Sequence, residues 1–201
     1  MRISSFIFLI ILTTCASTSS REDHILNYAD DNKTKYEEYL AGENQYTTGG
    51  IQYHKKYYKY LIGIATVSIE EKKLNIVKQS IGFYYDKKKN MKNELYLGLD
   101  LTASGDYPYE SYNEAAAAQL KNNLRDVLYI IYSCRTVFTE NEIAGMVVGF
   151  KWARGSLSES VNIWIDKKDV ILFEDNKITF DELIYRNTIT NTEGKIIKLP
   201  I

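Results

Sequence analysis

The side chains best equipped for chemistry in this 201-residue sequence are carboxylates and tyrosines, and they fall in two stretches. In the first, Leu95, Leu97, Leu99 and Leu101 alternate with Tyr96, Gly98, Asp100 and Thr102, so Tyr96 and Asp100 share the leucine-free face of one strand. Asp106 and Glu110 follow in the next loop. Paired carboxylates beside an aromatic face are the equipment of glycoside hydrolysis, one as acid and one as base or nucleophile. Solvated charges on an outward face account for the same residues. In the second stretch Tyr57, Tyr58 and Tyr60 interleave with Lys55, Lys56 and Lys59, a basic-aromatic stripe suited to polysaccharide, lipid headgroups or a protein partner. Read as a strand, the same lysines would protect a solvated sheet edge from pairing. The binding candidates are therefore Tyr57, Tyr58, Lys59, Tyr60, Tyr96 and Asp100.

Other chemistries lack their parts. The only histidines, His24 and His54, stand apart from each other and from any cysteine pattern, so no metal and no cofactor is expected. Gly155-Ser156 lacks the second glycine of a nucleophile elbow, and no glycine-rich turn ends in Lys-Ser or Lys-Thr. Asp175–Leu183 is similar to the second half of an EF-hand loop, with Glu182 as the twelfth-position ligand. That register puts Ile171 and Phe173 where calcium needs oxygen, and Asn176 where the turn needs glycine, so a turn followed by a capped helix is expected instead. Cys134 lies among apolar residues of a helix and reads as a small buried hydrophobe. With a net charge of -1 there is no basic face to hold nucleic acid, and no nucleic-acid partner is expected.

The elements that must position these residues centre on 111–134. Ala116, Leu120, Leu124, Val127, Ile131 and Cys134 recur at steps of three and four, while Lys121, Asn122, Arg125 and Asp126 fill the opposite side. Ser111 and Glu114 form a capping box at its start. Before it, helical spacing runs from Glu22 to Leu40, stopped by Gly42, and Gly49-Gly50 predicts a loop. Apolar, β-branched runs at Tyr57–Ile69 and Leu74–Tyr85 predict two strands that join Leu95–Thr102 in a three-strand meander, with Asp86–Asn93 as a charged hairpin loop. After it, Val147–Trp152 and Val161–Ile165 predict a second hairpin. Asp166 predicts the start of a short helix, Thr179 with Glu182 a second capping box over Phe180–Arg186, and Ile196–Leu199 an edge strand. Strands, helix, strands imply an α+β fold: an antiparallel sheet packed on a long central helix, with an N-terminal helix and short C-terminal helices. The 45% hydrophobic and 25% charged fractions fit a globular body that buries its own core.

The first residues read differently. Arg2 followed by the apolar run Phe6–Leu12 has the form of a signal peptide, too short for the roughly 20 residues a membrane span requires. Leu12-Thr13-Thr14-Cys15 resembles a bacterial lipobox, with Thr14 standing where the pattern has Gly, Ala or Ser. The resemblance implies cleavage before Cys15, its diacylation, and attachment to a membrane through the N-terminal lipid. Ala16 after Cys15 slightly favours the outer membrane. The plain alternative is an ordinary signal peptide cut near Ala16 or Ser17, giving a secreted or periplasmic protein. The expected organisation is thus a signal peptide over 1–14, a lipidated Cys15 with a tether to residue 21, and one α+β domain over 22–201. The expected function is a lipid-anchored envelope protein whose domain binds a ligand, with an envelope protein or polysaccharide as partner. An envelope hydrolase using Asp100, Asp106 and Glu110, or a structural assembly module, are the alternatives.

Overall fold

In the computed structural model, helix α4 (Tyr112–Tyr132) is the axis of the helical layer. Its N-cap Ser111 accepts the Glu114 N–H through Oγ, and the Glu114 carboxylate accepts the Ser111 N–H, both at 3.3 Å. Ala116, Leu120, Leu124, Val127 and Ile131 have no solvent exposure, and Lys121, Asn122 and Arg125 point outward. The structure describes residues 21–30, 32–42, 48–85, 94–103, 109 and 111–200. The leader, the lipobox and the tether up to residue 20 lie outside the described residues, as do the 86–93 loop, Asp106 and Glu110.

Helix α1 is helical over 21–30 and 32–36, so Arg21, read as tether, already belongs to it. A 3-10 turn, Glu37–Tyr39, closes it. Next come α2 (Thr48–Lys56) and α3 (Tyr58–Thr66), the latter running into a π-helical turn, Val67–Glu71. Strands β1 (Gly82–Tyr85) and β2 (Leu95–Thr102) precede α4, and β3 (Ile143–Arg154) and β4 (Leu157–Asp166) follow it. Helices α5 (Lys167–Glu174) and α6 (Phe180–Arg186) lead to β5 (Thr188–Asn191) and the edge strand β6 (Ile196–Ile197).

The fold is α+β, a six-stranded sheet in the order β1-β2-β3-β4-β5-β6 beside the central helix. Neighbours run antiparallel except β2 and β3, which are parallel. This corrects the expected meander of three strands in a wholly antiparallel sheet. A parallel pair needs a long crossover, and α4 with its flanking turns supplies it. Tyr57–Ile69 is helix rather than strand. Leu61–Thr66 are all buried, so beyond its first turn α3 shows no polar face to betray its 3.6-residue period. Of Leu74–Tyr85 only the last four residues are a strand, because Lys73 and Gln79 take positive φ and bend the chain. Gly49-Gly50 lies inside α2 rather than in a loop. Gly63 lets α1 and α3 touch: a Cβ there would lie 2.4 Å from the carbonyl oxygen and Cγ2 of Ile25.

Leu95, Leu97, Leu99 and Leu101 of β2 pack with Met146, Val148 and Phe150 of β3 and Val161, Ile163 and Ile165 of β4 in one continuous core with α4. Tyr96 and Val147 are also buried, at 0% and 7% exposure, yet stand outside that core. They belong to the opposite face of the sheet.

Candidate functional site

Side chains alternate along a strand, so the register dictates what the second face carries. Its central row crosses the sheet as Asp100, Gly149, Asn162 and Thr190. On one side of it runs the row Gly98, Val147, Trp164, Thr188, and beyond that Tyr84, Tyr96, Gly145, Asp166. On the other side lie Thr102, Lys151 and Ser160. An aromatic zone thus passes into a carboxylate-amide row and then to a lysine. Among the described residues, the helices share the continuous core with the first face.

The geometry is specific. Tyr96 meets Trp164 edge-to-face, centroids 5.1 Å apart at 88°, an arrangement the ring quadrupoles favour. The Tyr96 hydroxyl donates to Asp166 Oδ1 at 3.5 Å, and the Tyr84 hydroxyl donates to the Ser80 carbonyl. Asp100 is held from below, its N–H donating to Ser80 Oγ at 3.1 Å. Its Oδ2 pairs with Lys151 Nζ at 2.7 Å. Gly149 is the floor of the row. A Cβ there would lie 2.2 Å from Asp100 Oδ1 and 2.8 Å from Asn162 Oδ1, so the missing side chain is what lets both heads lean over it. Trp164 and Asn162 are half-buried.

Tyr96 and Asp100 are therefore together, as their strand alternation implied. The other four candidates are elsewhere and do different work. The Tyr57–Tyr60 stretch starts α3, where turns of about 100° per residue scatter a stripe that a strand would keep in line. Tyr57 is buried at 4% exposure and stacks on Tyr53 with centroids 6.2 Å apart. Its hydroxyl donates to Glu140 Oε1 at 2.5 Å, and Lys56 Nζ pairs with the same oxygen at 2.6 Å. Tyr53 donates to Glu142 at 2.7 Å. Tyr60 sits edge-on to Tyr57, and exposed Lys59 pairs with Asp30 at 2.7 Å.

Burial, then Glu140, holds the Tyr57 phenol far above its ordinary range. The Glu142 hydrogen bond, then burial, does the same for Tyr53. Burial, aided by Glu37, pushes Tyr58 up to about 12. In return Lys56 first, and Tyr57 next, hold the Glu140 carboxyl below its usual value. The pattern repeats at Tyr36, which donates to Glu70 at 2.5 Å. Tyr36, Tyr53 and Tyr57 thus bury a ring and hand the hydroxyl to a glutamate, while the buried Tyr58 hydroxyl has no hydrogen-bond partner among the described residues.

His24 pairs with Glu71 at 2.8 Å, and His54 lies edge-on to Tyr58. Cys134 is fully buried, its thiol pushed well up by desolvation. Among the described residues no group of three His, Cys, Asp or Glu is placed to hold a metal ion. Asn176 takes a positive φ in the turn after α5, and Thr179 and Glu182 cap α6 reciprocally, so the EF-hand-like segment is a turn and a capped helix.

Sequence reasoning missed Asn162, Trp164, Lys151 and Gly149. The signal was present in β4, where Asn162, Trp164 and Asp166 alternate with Val161, Ile163 and Ile165, setting a tryptophan among polar residues on the outward side. Neither protein-family models, nor curated proteins, nor solved structures match this chain.

Proposed function

We propose that the chain is an exported, lipid-anchored bacterial envelope protein whose second sheet face holds a ligand. The anchor reading rests on the Arg2 and Phe6–Leu12 leader and on Cys15 at the end of a lipobox-like stretch. Among the described residues no helix is long and apolar enough to cross a membrane. Two acyl chains and a third on the amide would hold the protein at a bilayer firmly, where one would be marginal. The observation that carries the binding reading is the band Tyr96, Trp164, Asp100, Gly149, Asn162 and Lys151 on the sheet face opposite the continuous core. A tryptophan beside converging polar heads over a glycine combines the aromatic and hydrogen-bonding groups that ligand sites use. Binding is favoured over hydrolysis because Asp100 Oδ2 is already engaged by Lys151 Nζ at 2.7 Å, which holds the carboxylate in place as a fixed acceptor.

Two experiments test this. Cys15→Ala moves the protein from the membrane to the soluble periplasmic or culture fraction; unchanged fractionation refutes the anchor. A photo-crosslinking amino acid at Asn162, compared with one at Lys121 on the outer side of α4, captures envelope material in growing cells from the first position only. Equal or absent capture at both positions removes the ligand face.

A further inference from the structure

We infer that the ligand of this face is a neutral saccharide, gripped by Asp100 and Asn162 over Gly149 and stacked beside Trp164. This rests on the reading of the second sheet face as a ligand site. A pyranose presents a rim of hydroxyls and a face of C–H groups, and recognising it takes hydrogen-bonding heads at a fixed distance from an aromatic ring. Asn162 and Trp164 are two residues apart on one strand, hence on the same face and roughly 6.6 Å apart. That separation is about the breadth of one sugar ring.

The donor and acceptor inventory fits as well. Asp100 Oδ1 and Asn162 Oδ1 lie 2.2 Å and 2.8 Å from where a Gly149 Cβ would be, so they converge on one spot from the strands either side. A carboxylate only accepts and an amide both accepts and donates, the mixture that adjacent hydroxyls require. Asp100 Oδ2 is already met by Lys151 Nζ at 2.7 Å. The Asp100–Lys151 pair therefore carries no net charge, which disfavours polyanions and selects an uncharged partner. Nucleic acid is disfavoured further by Asp166 on the same face and by the net charge of -1. A protein partner would want an exposed apolar centre; here Val147 and Tyr96 are buried and the accessible middle is polar.

Gly149→Ala isolates the grip. The three atoms nearest its Cβ all belong to the Asp100 and Asn162 side chains, which can swing aside, so the chain folds while the two heads part. The full-length protein in detergent is titrated with chitohexaose, cellohexaose and polygalacturonate, followed by calorimetry and tryptophan emission. Saturable binding of a neutral oligosaccharide, with a change in emission lost in Trp164→Ala, supports the inference. Gly149→Ala, Asp100→Asn and Asn162→Ala each weaken it roughly ten-fold or more, whereas Lys121→Ala leaves it unchanged. Circular dichroism of each variant confirms a native fold. No saturable binding of either neutral sugar, binding of polygalacturonate alone, or neutral-sugar binding indifferent to Gly149→Ala and Trp164→Ala overturns it. If crosslinks still form at Asn162 while both sugars fail, the face remains a ligand site and only the saccharide falls; silence in both takes the site as well.

Discussion

Replacing Glu159 by Gln probes how the β3–β4 hairpin is clamped to the helical layer. Glu159 is 9% exposed, accepts from Trp152 Nε1 at 2.9 Å and pairs with Arg154 Nη2 at 2.5 Å and Nε at 3.1 Å. Trp152 in turn lies 5.5 Å from the Tyr112 ring, whose hydroxyl donates to the Ser160 carbonyl at 2.8 Å. The clamp thus joins the hairpin to the first turn of α4. Gln keeps an acceptor for Trp152 but loses the ion pair. Removing one partner of a fully buried pair costs about 3–5 kcal/mol, while exposed pairs contribute about 0–1 kcal/mol. The Arg154 side chain keeps 37% exposure, so water recovers much of its solvation. An intermediate loss of about 1–2 kcal/mol follows, or roughly 2–8 °C in Tm for a chain of this size. Arg154 holds the Glu159 carboxyl below its ordinary value. A depressed carboxylate contributes stability that is complete above the unfolded value, about 4.3, and is lost as pH falls through the folded one. Thermal unfolding by circular dichroism therefore separates variant from wild type at pH 7, and the gap narrows as pH falls below the unfolded value toward pH 3. A gap of the same size at both pH values, or none at pH 7, refutes the ion-pair account.

Other substitutions test the frame of the fold. Leu124→Asp puts an unpaired charge at a position with no solvent exposure and abolishes cooperative unfolding, whereas Leu124→Ala lowers stability by about 3–5 kcal/mol in urea titrations. Gly63→Ala drives a methyl against the Ile25 carbonyl, a backbone atom that cannot rotate away, and costs about 1–3 kcal/mol in the same assay. Thr179→Ala removes one half of the α6 capping box and costs about 1 kcal/mol, with faster amide exchange confined to Phe180–Arg186.

What could be read from residue order alone was whatever a local rule determines. Both capping boxes, the one-sided stripe of α4, the alternation of β2 and the hairpin around Gly155 depend on residues within a few positions of each other, and all four are present. The misreading of Tyr57–Ile69 arose because alternating β-branched residues imitate a strand when a helix is buried beyond its first turn; only the packing of α1 on Gly63 decides between them. The parallel β2–β3 pair is likewise non-local, set by how α4 returns the chain to the sheet. The candidate site divides along the same line. Tyr96 and Asp100 were visible because one strand's period put them on one face. Gly149 and Asn162 acquire meaning only through register, when β3 and β4 bring a missing side chain and an amide opposite that carboxylate. Recognition sites made of one residue from each of several neighbouring strands are therefore the part of such a fold that a single sequence conceals most thoroughly, and the sheet's pairing is the information that recovers them.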